Sequence, residues 1–435
     1  MHCVMLALPL LMTQLESKSS SPEMATLLRS NFDTANNDAE FYGPANTSTP
    51  DASVNLRKKV NALKILPRNS VDPTVLQTSS SADIYFDIPP NSSIDYINNM
   101  YFKCTLANAD GTNTMNLVDV FDFFDWISIS CNGEEVQSLY PVSMRNDYIL
   151  SNTIDKLYSA LSYVGISTTD YSANLTVANS GTTTVYMPIK CLISTAEFPI
   201  WRSDLQWRLQ FRTKGGAQLI RSGSAVVTSL TIQSGSVELD LDGEQLLPEV
   251  KDVHNTILNN GLNKTYRYLD QTRLQLSASS VTSAVASQVP YTDSGFLSHG
   301  YLVLQTSGAT GTQLYDSVTL TSFDVMSSQR PVLHTFGDNQ YFTSFAAAQA
   351  KNFWSNTNPI LQRPLYYFTA STDPVAAIKS GANFGSYTVT GTNETIRFIA
   401  GSSVSTAVMS VYSEWYSHIV VDYITGKMRI FRKTS

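Results

Sequence analysis

The sequence predicts an all-β protein built from two tandem domains of similar design. Only 15% of the residues are charged, against about 25% in typical proteins, while Tyr (22) and Phe (19) are plentiful, which favours strands. Several segments alternate polar and apolar residues, as strands of antiparallel sheets with one buried face do. Related segments begin at Tyr101 and Tyr301, and 435 residues are enough for two or three domains.

Residues 1–54 are predicted to form an N-terminal arm. Residues 31–53 are rich in Asn, Ser, Thr and Pro, which favours an extended segment. The apolar run after Met1 has the length of a signal peptide but lacks a basic start and a clear cleavage site. It is also too short to span a bilayer, which takes about 20 residues. A membrane-touching arm, a signal peptide and a later natural start at Met24 all stay open.

The next segment, "NLRKKVNALKILPRN", is basic in an otherwise acidic chain of net charge −7. Five basic residues occur in it without one acid: Arg57, Lys58, Lys59, Lys64 and Arg68. Leu56, Val60 and Leu63 recur at helical spacing, so the segment is predicted to be a short amphipathic helix. One interpretation is a solvated helix whose Lys and Arg stems cover the base of the first domain.

Strand signals dominate the rest of the chain. The segments "DIYFDI" (83–88), "QWRLQFR" (206–212) and "SVELDLDG" (236–243) place an apolar residue at every second position. Asn132-Gly133 in "CNGEEV" is a strong signal for a two-residue hairpin turn. Helical patterns are sparse and are predicted only at 146–158 and 339–352.

An internal repeat sets the domain boundaries. "YFKCTLANADGTNTMNLVDV" and "YLVLQTSGATGTQLYDSVTL" share Tyr, Ala, Gly, Thr and Val in register. Each half then runs through a strand and a short helix-like segment and ends on an alternating strand, at 236–243 and 427–433. The predicted domains are 55–246 and 247–435, joined near 244–252, where Pro248 interrupts the pattern.

No catalytic motif is present. The five histidines stand far apart, without an H-E-x-x-H or H-x-H spacing, and there is no G-x-S-x-G, Walker A or G-x-G-x-x-G sequence. The four cysteines lack a C-x-x-C pair, and Cys104 and Cys131 in apolar runs are predicted to be buried thiols, with a disulfide between them left open. We therefore expect no enzyme, no catalytic or metal-binding residues and no cofactor.

Two acidic segments receive structural interpretations. On an extended chain Asp119, Asp122 and Asp125 point to different faces, so they are not expected to share a metal or a proton. Asp125 precedes the strand "WISIS" and is predicted to accept backbone N–H groups at a bend. "DLDGE" (240–244) faintly resembles a calcium loop but lacks the other ligand positions, and is predicted to be a strand end followed by an Asp-Gly turn.

The run "WISISCNGEEVQSLYP" followed by "SMRNDYIL" resembles the first jelly roll of the double jelly-roll major capsid proteins of tailless icosahedral viruses. "CLISTAEFPIWRSDLQWRLQFR" is similar to a loop and strand of the same family. The resemblance covers roughly residues 60–435 and depends on architecture and one hairpin, not on an invariant motif. It implies two tandem eight-stranded antiparallel jelly rolls with short helices in loops, and no catalytic residues.

The resemblance also implies partners and a location. Members form homotrimers that act as pseudo-hexagonal capsomers in a virion shell, next to other capsomers and a penton protein. The basic residues 57–59, 64 and 68 would then lie on the inner face, against an internal lipid membrane or the packaged genome. The net charge of −7 argues against nonspecific nucleic-acid binding by the whole surface.

Two other functions compete with the capsid interpretation. A receptor- or carbohydrate-binding β-sandwich, such as a spike or adhesin, would use aromatic platforms such as Trp201, Trp207, Trp354 or Trp415; Trp207, however, falls on the apolar face of its strand, which favours the core. A jelly-roll glycosidase would need two carboxylates about 5–10 Å apart across a groove. No such pair stands out in the sequence.

Overall fold

A computed structural model describes residues 57–77, 81–90, 93–152, 163–165, 175–196, 198–202, 205–216, 219–223, 227–259, 264–278, 280–306, 320–335, 366–425 and 427–431. The predicted arm (1–54), the predicted helix at 339–352 and Trp354 lie outside these ranges. So do the side chains of residues 57–59.

The described residues are mainly β-strands joined by short helices. The strands of the first half are β1 (Arg57–Ile65), β2 (Asp83–Ile88), β3 (Tyr96–Asn108), β4 (Met115–Leu117), β5 (Phe124–Cys131), β6 (Glu134–Leu139), β7 (Leu175–Val177), β8 (Thr182–Ile189), β9 (Trp207–Thr213), β10 (Ile220–Gly223), β11 (Leu230–Ile232) and β12 (Glu238–Leu246). Those of the second half are β13 (Lys264–Ala278), β14 (Ala286–Pro290), β15 (Gly295–Thr306), β16 (Leu320–Ser327), β17 (Arg330–Thr335), β18 (Tyr366–Thr369), β19 (Tyr387–Val389), β20 (Glu394–Ala400), β21 (Ala407–Asp422) and β22 (Lys427–Phe431). The helices are α1 (Pro141–Ser151), α2 (Leu192–Thr195), α3 (Pro248–Asn259) and α4 (Pro374–Ser380), with 3₁₀ turns at Val120–Phe123 and Val227–Ser229. Within the described part of the chain, no helix combines the length and apolar character that crossing a membrane requires.

The first half forms an eight-stranded jelly roll. One sheet has the order β1-β12-β3-β8, with the short strand β11 also paired to β3, and the other has the order β2-β9-β5-β6. Every one of these pairings is antiparallel. Apolar side chains that alternate along each strand fill the space between the sheets. The rings of Phe86, Phe102, Phe124 and Phe211 meet at its centre, with centroids 5.0–6.3 Å apart.

The second half repeats this order strand by strand. Its sheets run β13-β21-β15-β18 and β14-β20-β16-β17, which are the first-half orders with each strand replaced by its counterpart. Tyr101 and Tyr301, where the repeated sequences begin, lie in the corresponding strands β3 and β15. The prediction of two tandem jelly rolls is therefore confirmed, and among the described strands no sheet mixes the two halves.

Local predictions from alternation are confirmed as well. Residues 83–88 and 207–213 form strands whose apolar side chains are buried at every second position. Asn132 and Gly133 both have positive φ (51° and 86°) and close the β5–β6 hairpin. Glycine tolerates this conformation because it lacks a Cβ atom.

The predicted basic helix is wrong, because residues 57–65 form the edge strand β1. The backbone of β1 is hydrogen-bonded to β12. An isolated helix of this length is only marginally stable in water, so the pairing with β12 favours the strand. The register shifts between Val60 and Leu63, and both side chains pack on the core. This bulge puts residues three apart on one face, which imitates the helical spacing seen in the sequence.

Two further expectations need correction. The segment 240–244 is not a turn, because β12 continues through Gly243 to Leu246 with a bulge at Asp242 and Gly243. A Cβ atom on Gly243 would lie 2.0 Å from the Tyr96 carbonyl oxygen, so glycine permits a close backbone approach there. The helix predicted at 146–158 begins earlier, with Pro141 in its first turn.

Candidate functional site

The two rolls meet along a seam, formed by β6 and α1 of the first roll and by β13, β15 and β21 of the second. β6 is the edge strand of its sheet, and side chains from β13 satisfy its exposed polar groups. The Ser138 N–H donates to Asp270 Oδ1 (3.1 Å), and the Tyr140 N–H donates to Gln271 Oε1 (2.7 Å). The edge of one roll is thus completed by the other.

Apolar and charged contacts strengthen the seam on either side of this edge. Leu150 of α1 packs among the rings of Tyr301, Tyr367 and Tyr416 and against α4. Asp125, at a bulge in β5, forms an ion pair with Arg273 of β13 (2.7 Å). The structure gives Asp125 this partner across the seam, where the sequence predicted backbone N–H groups.

A cluster of titratable side chains lies inside the seam, and we call it the seam triad: Asp147 of α1, His299 of β15 and Glu414 of β21. All three are buried, and one ligand atom from each lies within 4.8 Å of the others. His299 Nε2 is 3.2 Å from Asp147 Oδ1 and 3.6 Å from Glu414 Oε2. It is the one group of three or more possible metal ligands among the described residues.

Each member of the seam triad has a polar partner that fixes its orientation. The Tyr301 hydroxyl donates to Asp147 Oδ1 at 2.6 Å. Ser298 Oγ lies 3.1 Å from His299 Nδ1, and Gln271 Nε2 donates to Glu414 Oε1 at 3.1 Å. Burial, together with the nearby Asp147 carboxylate, raises the pKa of Glu414 well above its ordinary value.

Sequence reasoning missed the seam triad because its members are far apart along the chain. Asp147 and His299 are 152 residues apart and come from different rolls. Neither belongs to a short motif, and nothing in the local pattern distinguishes His299 from the other histidines. The only available signal was indirect: Asp147 lies in the predicted helix 146–158, and His299 lies two residues before the repeated segment that begins at Tyr301.

The predicted basic site lies on and beside β1. Lys64 forms an ion pair with Glu238 (3.1 Å) and Arg68 with Asp87 (3.4 Å), while their side chains stay 54% and 60% exposed. Lys59 is paired in register with Glu244 of β12. Glu238 of β12 and Asp87 of β2 therefore balance the charges of Lys64 and Arg68.

The carboxylates of residues 119 and 122 lie close together, contrary to the sequence interpretation. The segment between them is a 3₁₀ turn, and Asp119 caps it by accepting the Asp122 N–H. Both are buried, and each has its own cation: Arg145 at 2.6 Å from Asp119 and Lys214 at 3.1 Å from Asp122. Burial is the largest single influence and lowers the Lys214 pKa, but Asp122, Tyr412 and Asp125 together outweigh it, so the pKa of Lys214 lies above its ordinary value.

Aromatic and thiol groups belong largely to the interior. Trp201, Trp207 and Trp415 are buried, which leaves these side chains unavailable as sugar-stacking platforms. Cys104 and Cys131 are buried free thiols, as predicted.

No protein-family sequence model matches the chain, and no curated protein sequence matches it either. Solved structures do match across most of its length. A quasi-atomic model of the PBCV-1 virus capsid superposes with a TM-score of 0.62 at 11% sequence identity, covering 87% of this chain and 97% of that one.

Two more structures agree with this. A PBCV-1 capsid protein fitted into a reconstruction of the virophage Sputnik gives a TM-score of 0.59 at 11% identity, with the same coverage. The Faustovirus major capsid protein gives 0.55 at 9% identity, covering 83% of this chain and 90% of that one. The chain thus shares the double jelly-roll fold of these proteins, with little sequence in common.

Proposed function

We propose that this chain is a major capsid protein, the structural and non-enzymatic subunit of an icosahedral virion shell. The observation that carries the proposal is the presence, in one chain, of two jelly rolls with the same strand order joined by a polar and apolar seam. The neighbours in structure are described as capsid proteins of PBCV-1 and Faustovirus, which supports the same role.

The fold suits a shell for physical reasons. Two-sheet rolls hide most strand edges, so contacts between molecules are made by loops and flanks, which can vary without unravelling a sheet. Three copies of a chain with two similar rolls present six similar corners, which tile a surface as a hexagon does. We therefore propose a homotrimeric, pseudo-hexagonal capsomer that contacts other capsomers and a penton protein.

The same proposal assigns the parts of the chain. Residues 55–246 and 247–435 are the two domains, and residues 1–54 are an arm. The basic residues on and beside β1 face the inside of the shell, towards anionic lipid headgroups or the packaged genome. Support comes from the exposure of Lys64 and Arg68, although their ion pairs with Glu238 and Asp87 reduce the free charge.

Oligomeric state and particle shape test the main proposal. Light scattering of the purified chain should give three times the 47.9 kDa of one chain, and electron microscopy should show hexagonal outlines or closed shells. Obligate interfaces of this kind typically bury more than about 2,000 Å². A stable monomer at micromolar concentration, particularly one that binds glycans, contradicts the proposal and favours the adhesin.

The inner-face assignment has its own test. Arg57, Lys58, Lys59 and Lys64 changed together to Gln should leave trimers intact but impair the assembly of filled particles. Wild-type protein should bind anionic vesicles or DNA, and this binding should weaken as salt rises, because counterion release drives it. Normal filled particles from the quadruple variant, and no binding by wild type at low salt, would show that β1 serves only the fold.

A further inference from the structure

The seam triad has the composition of a metal site. One imidazole and two carboxylates supply the nitrogen and oxygen ligands that divalent transition metals prefer. The three side chains converge from α1, β15 and β21, so that an ion bound to all of them would hold the first roll to the second. The ligands come from regular elements, which hold side chains more firmly than loops do.

The distances within the seam triad fit a tetrahedral ion. With bonds of about 2.0–2.2 Å to zinc, neighbouring ligand atoms of a tetrahedral site lie about 3.4 Å apart. His299 Nε2 is 3.2 Å from Asp147 Oδ1 and 3.6 Å from Glu414 Oε2. The two ligand-to-ligand distances that involve His299 therefore need almost no change for a tetrahedral ion to bind.

One buried oxygen points independently to a cation. Glu414 Oε2 is fully buried and has no well-aligned donor among the described residues, whereas Gln271 holds Glu414 Oε1; the Asp147 carboxyl and the Ser143 hydroxyl are the polar groups beside this side chain. A buried carboxylate oxygen without a donor is strongly disfavoured unless a cation or a proton lies against it. This oxygen is the one that approaches His299.

The surroundings match those of protein metal sites. Metal-binding side chains usually have an outer partner that orients them and tunes their basicity. Tyr301, Ser298 and Gln271 are such partners for Asp147, His299 and Glu414. The rings of Tyr301 and Tyr367, with centroids 5.7 and 5.8 Å from the His299 ring, also shield the site from water.

We propose that Asp147, His299 and Glu414 bind one zinc ion that clamps the two rolls together. The two positive charges of the ion match the two carboxylates, so the buried site becomes neutral. Binding needs only the folded chain and does not depend on assembly into a shell. The competing interpretation is a proton shared by the two carboxylates, and the experiments below separate the two.

Metal content of matched variants is the first test. Untagged protein, expressed with added zinc chloride and then dialysed, should contain about one zinc ion per chain when measured by inductively coupled plasma mass spectrometry. The His299→Gln and Glu414→Gln variants should contain at least tenfold less zinc per chain than the wild type. His418→Gln, on β21 but outside the seam triad, should contain as much zinc as the wild type. Equal zinc in all four proteins, or none in the wild type, would overturn the proposal.

A second test uses wild-type protein alone, so it does not depend on whether a variant folds. After treatment with EDTA, titration with Co²⁺ should produce the visible absorption bands of a tetrahedral ion, saturate at one equivalent, and be reversed by zinc. Zinc chloride should also raise the midpoint of thermal unfolding of the EDTA-treated chain, and magnesium chloride should not. A shared proton predicts neither the bands nor the shift, and that result refutes the zinc site.

Discussion

Gln271 connects the edge of the first roll to the interior of the second, and its replacement by Met should loosen the seam. Its Oε1 accepts from the Tyr140 N–H, which precedes α1, and its Nε2 donates to Glu414 Oε1. Met has nearly the same length but can form neither hydrogen bond. Both partners would be left in the seam without a replacement.

The expected loss follows from the two partners. An unsatisfied donor at the half-buried Tyr140 N–H costs about 1 kcal/mol, and the lost hydrogen bond to the buried Glu414 carboxyl about 2 kcal/mol. A local loss of about 3 kcal/mol should speed opening of α1 by roughly 100-fold, since about 1.4 kcal/mol is tenfold. Hydrogen–deuterium exchange of peptides covering Pro141–Ser151 measures this directly.

Gln275→Met is the matched control, because Gln275 lies on the same strand with an exposed side chain. Exposed substitutions of this kind change stability by less than about 0.5 kcal/mol. Both variants must be compared at equal protein concentration, because oligomer formation also stabilises the chain. If α1 exchanges at the same rate in the two variants, Gln271 does not hold the seam.

Three other expectations follow from the described side chains. Lys214→Met leaves the buried Asp122 carboxylate without its cation, so the free energy of unfolding in urea should fall by about 3–5 kcal/mol. The double variant with Asp122→Asn should recover part of this loss. A Lys214→Met variant as stable as the wild type contradicts the ion pair. Burial and then Arg267 lower the pKa of His418 below 6.5, so its contribution to stability is present above about pH 6.5 and is lost as pH falls through the lowered pKa. The free energy of unfolding of His418→Gln, measured between about pH 5 and 8, should lack this pH-dependent loss. Identical pH profiles for the variant and the wild type count against the lowered pKa. Burial raises the pKa of Cys104 to about 12, so N-ethylmaleimide should label it only after unfolding, as peptide mass mapping can establish; rapid labelling of the native chain would show that the thiol is accessible.

Alternation made the sheets predictable because it is a local property. Side chains of a strand point to opposite faces in turn, so a half-buried strand such as Trp207–Thr213 records its burial in its own sequence. The repeat then predicted that the second half would have the same design. A hairpin such as that at Asn132-Gly133 is equally local, because it needs only two residues that tolerate positive φ.

Features that depend on irregular backbone or distant contacts were not predictable. The bulge between Val60 and Leu63 gives a strand the spacing of a helix, and no pattern within nine residues distinguishes the two. The 3₁₀ turn between Asp119 and Asp122 likewise brings together side chains that an extended chain would separate. The seam triad is assembled only when the two rolls dock, so its chemistry has no local sequence signature.

The seam also has a consequence for how the chain is made. During translation, α1 leaves the ribosome long before the second-roll residues that it contacts are synthesised. Tyr301 follows Asp147 by 154 residues, and Gln271 follows Tyr140 by 131. At about 5–20 residues per second, roughly eight to thirty seconds pass before Tyr301 is synthesised and can contact Asp147. During that interval the nascent first roll presents a bare strand edge and an unmatched acidic side chain. A chain cut short before β13 would keep that edge permanently, and truncated products should therefore aggregate instead of accumulating as a folded half.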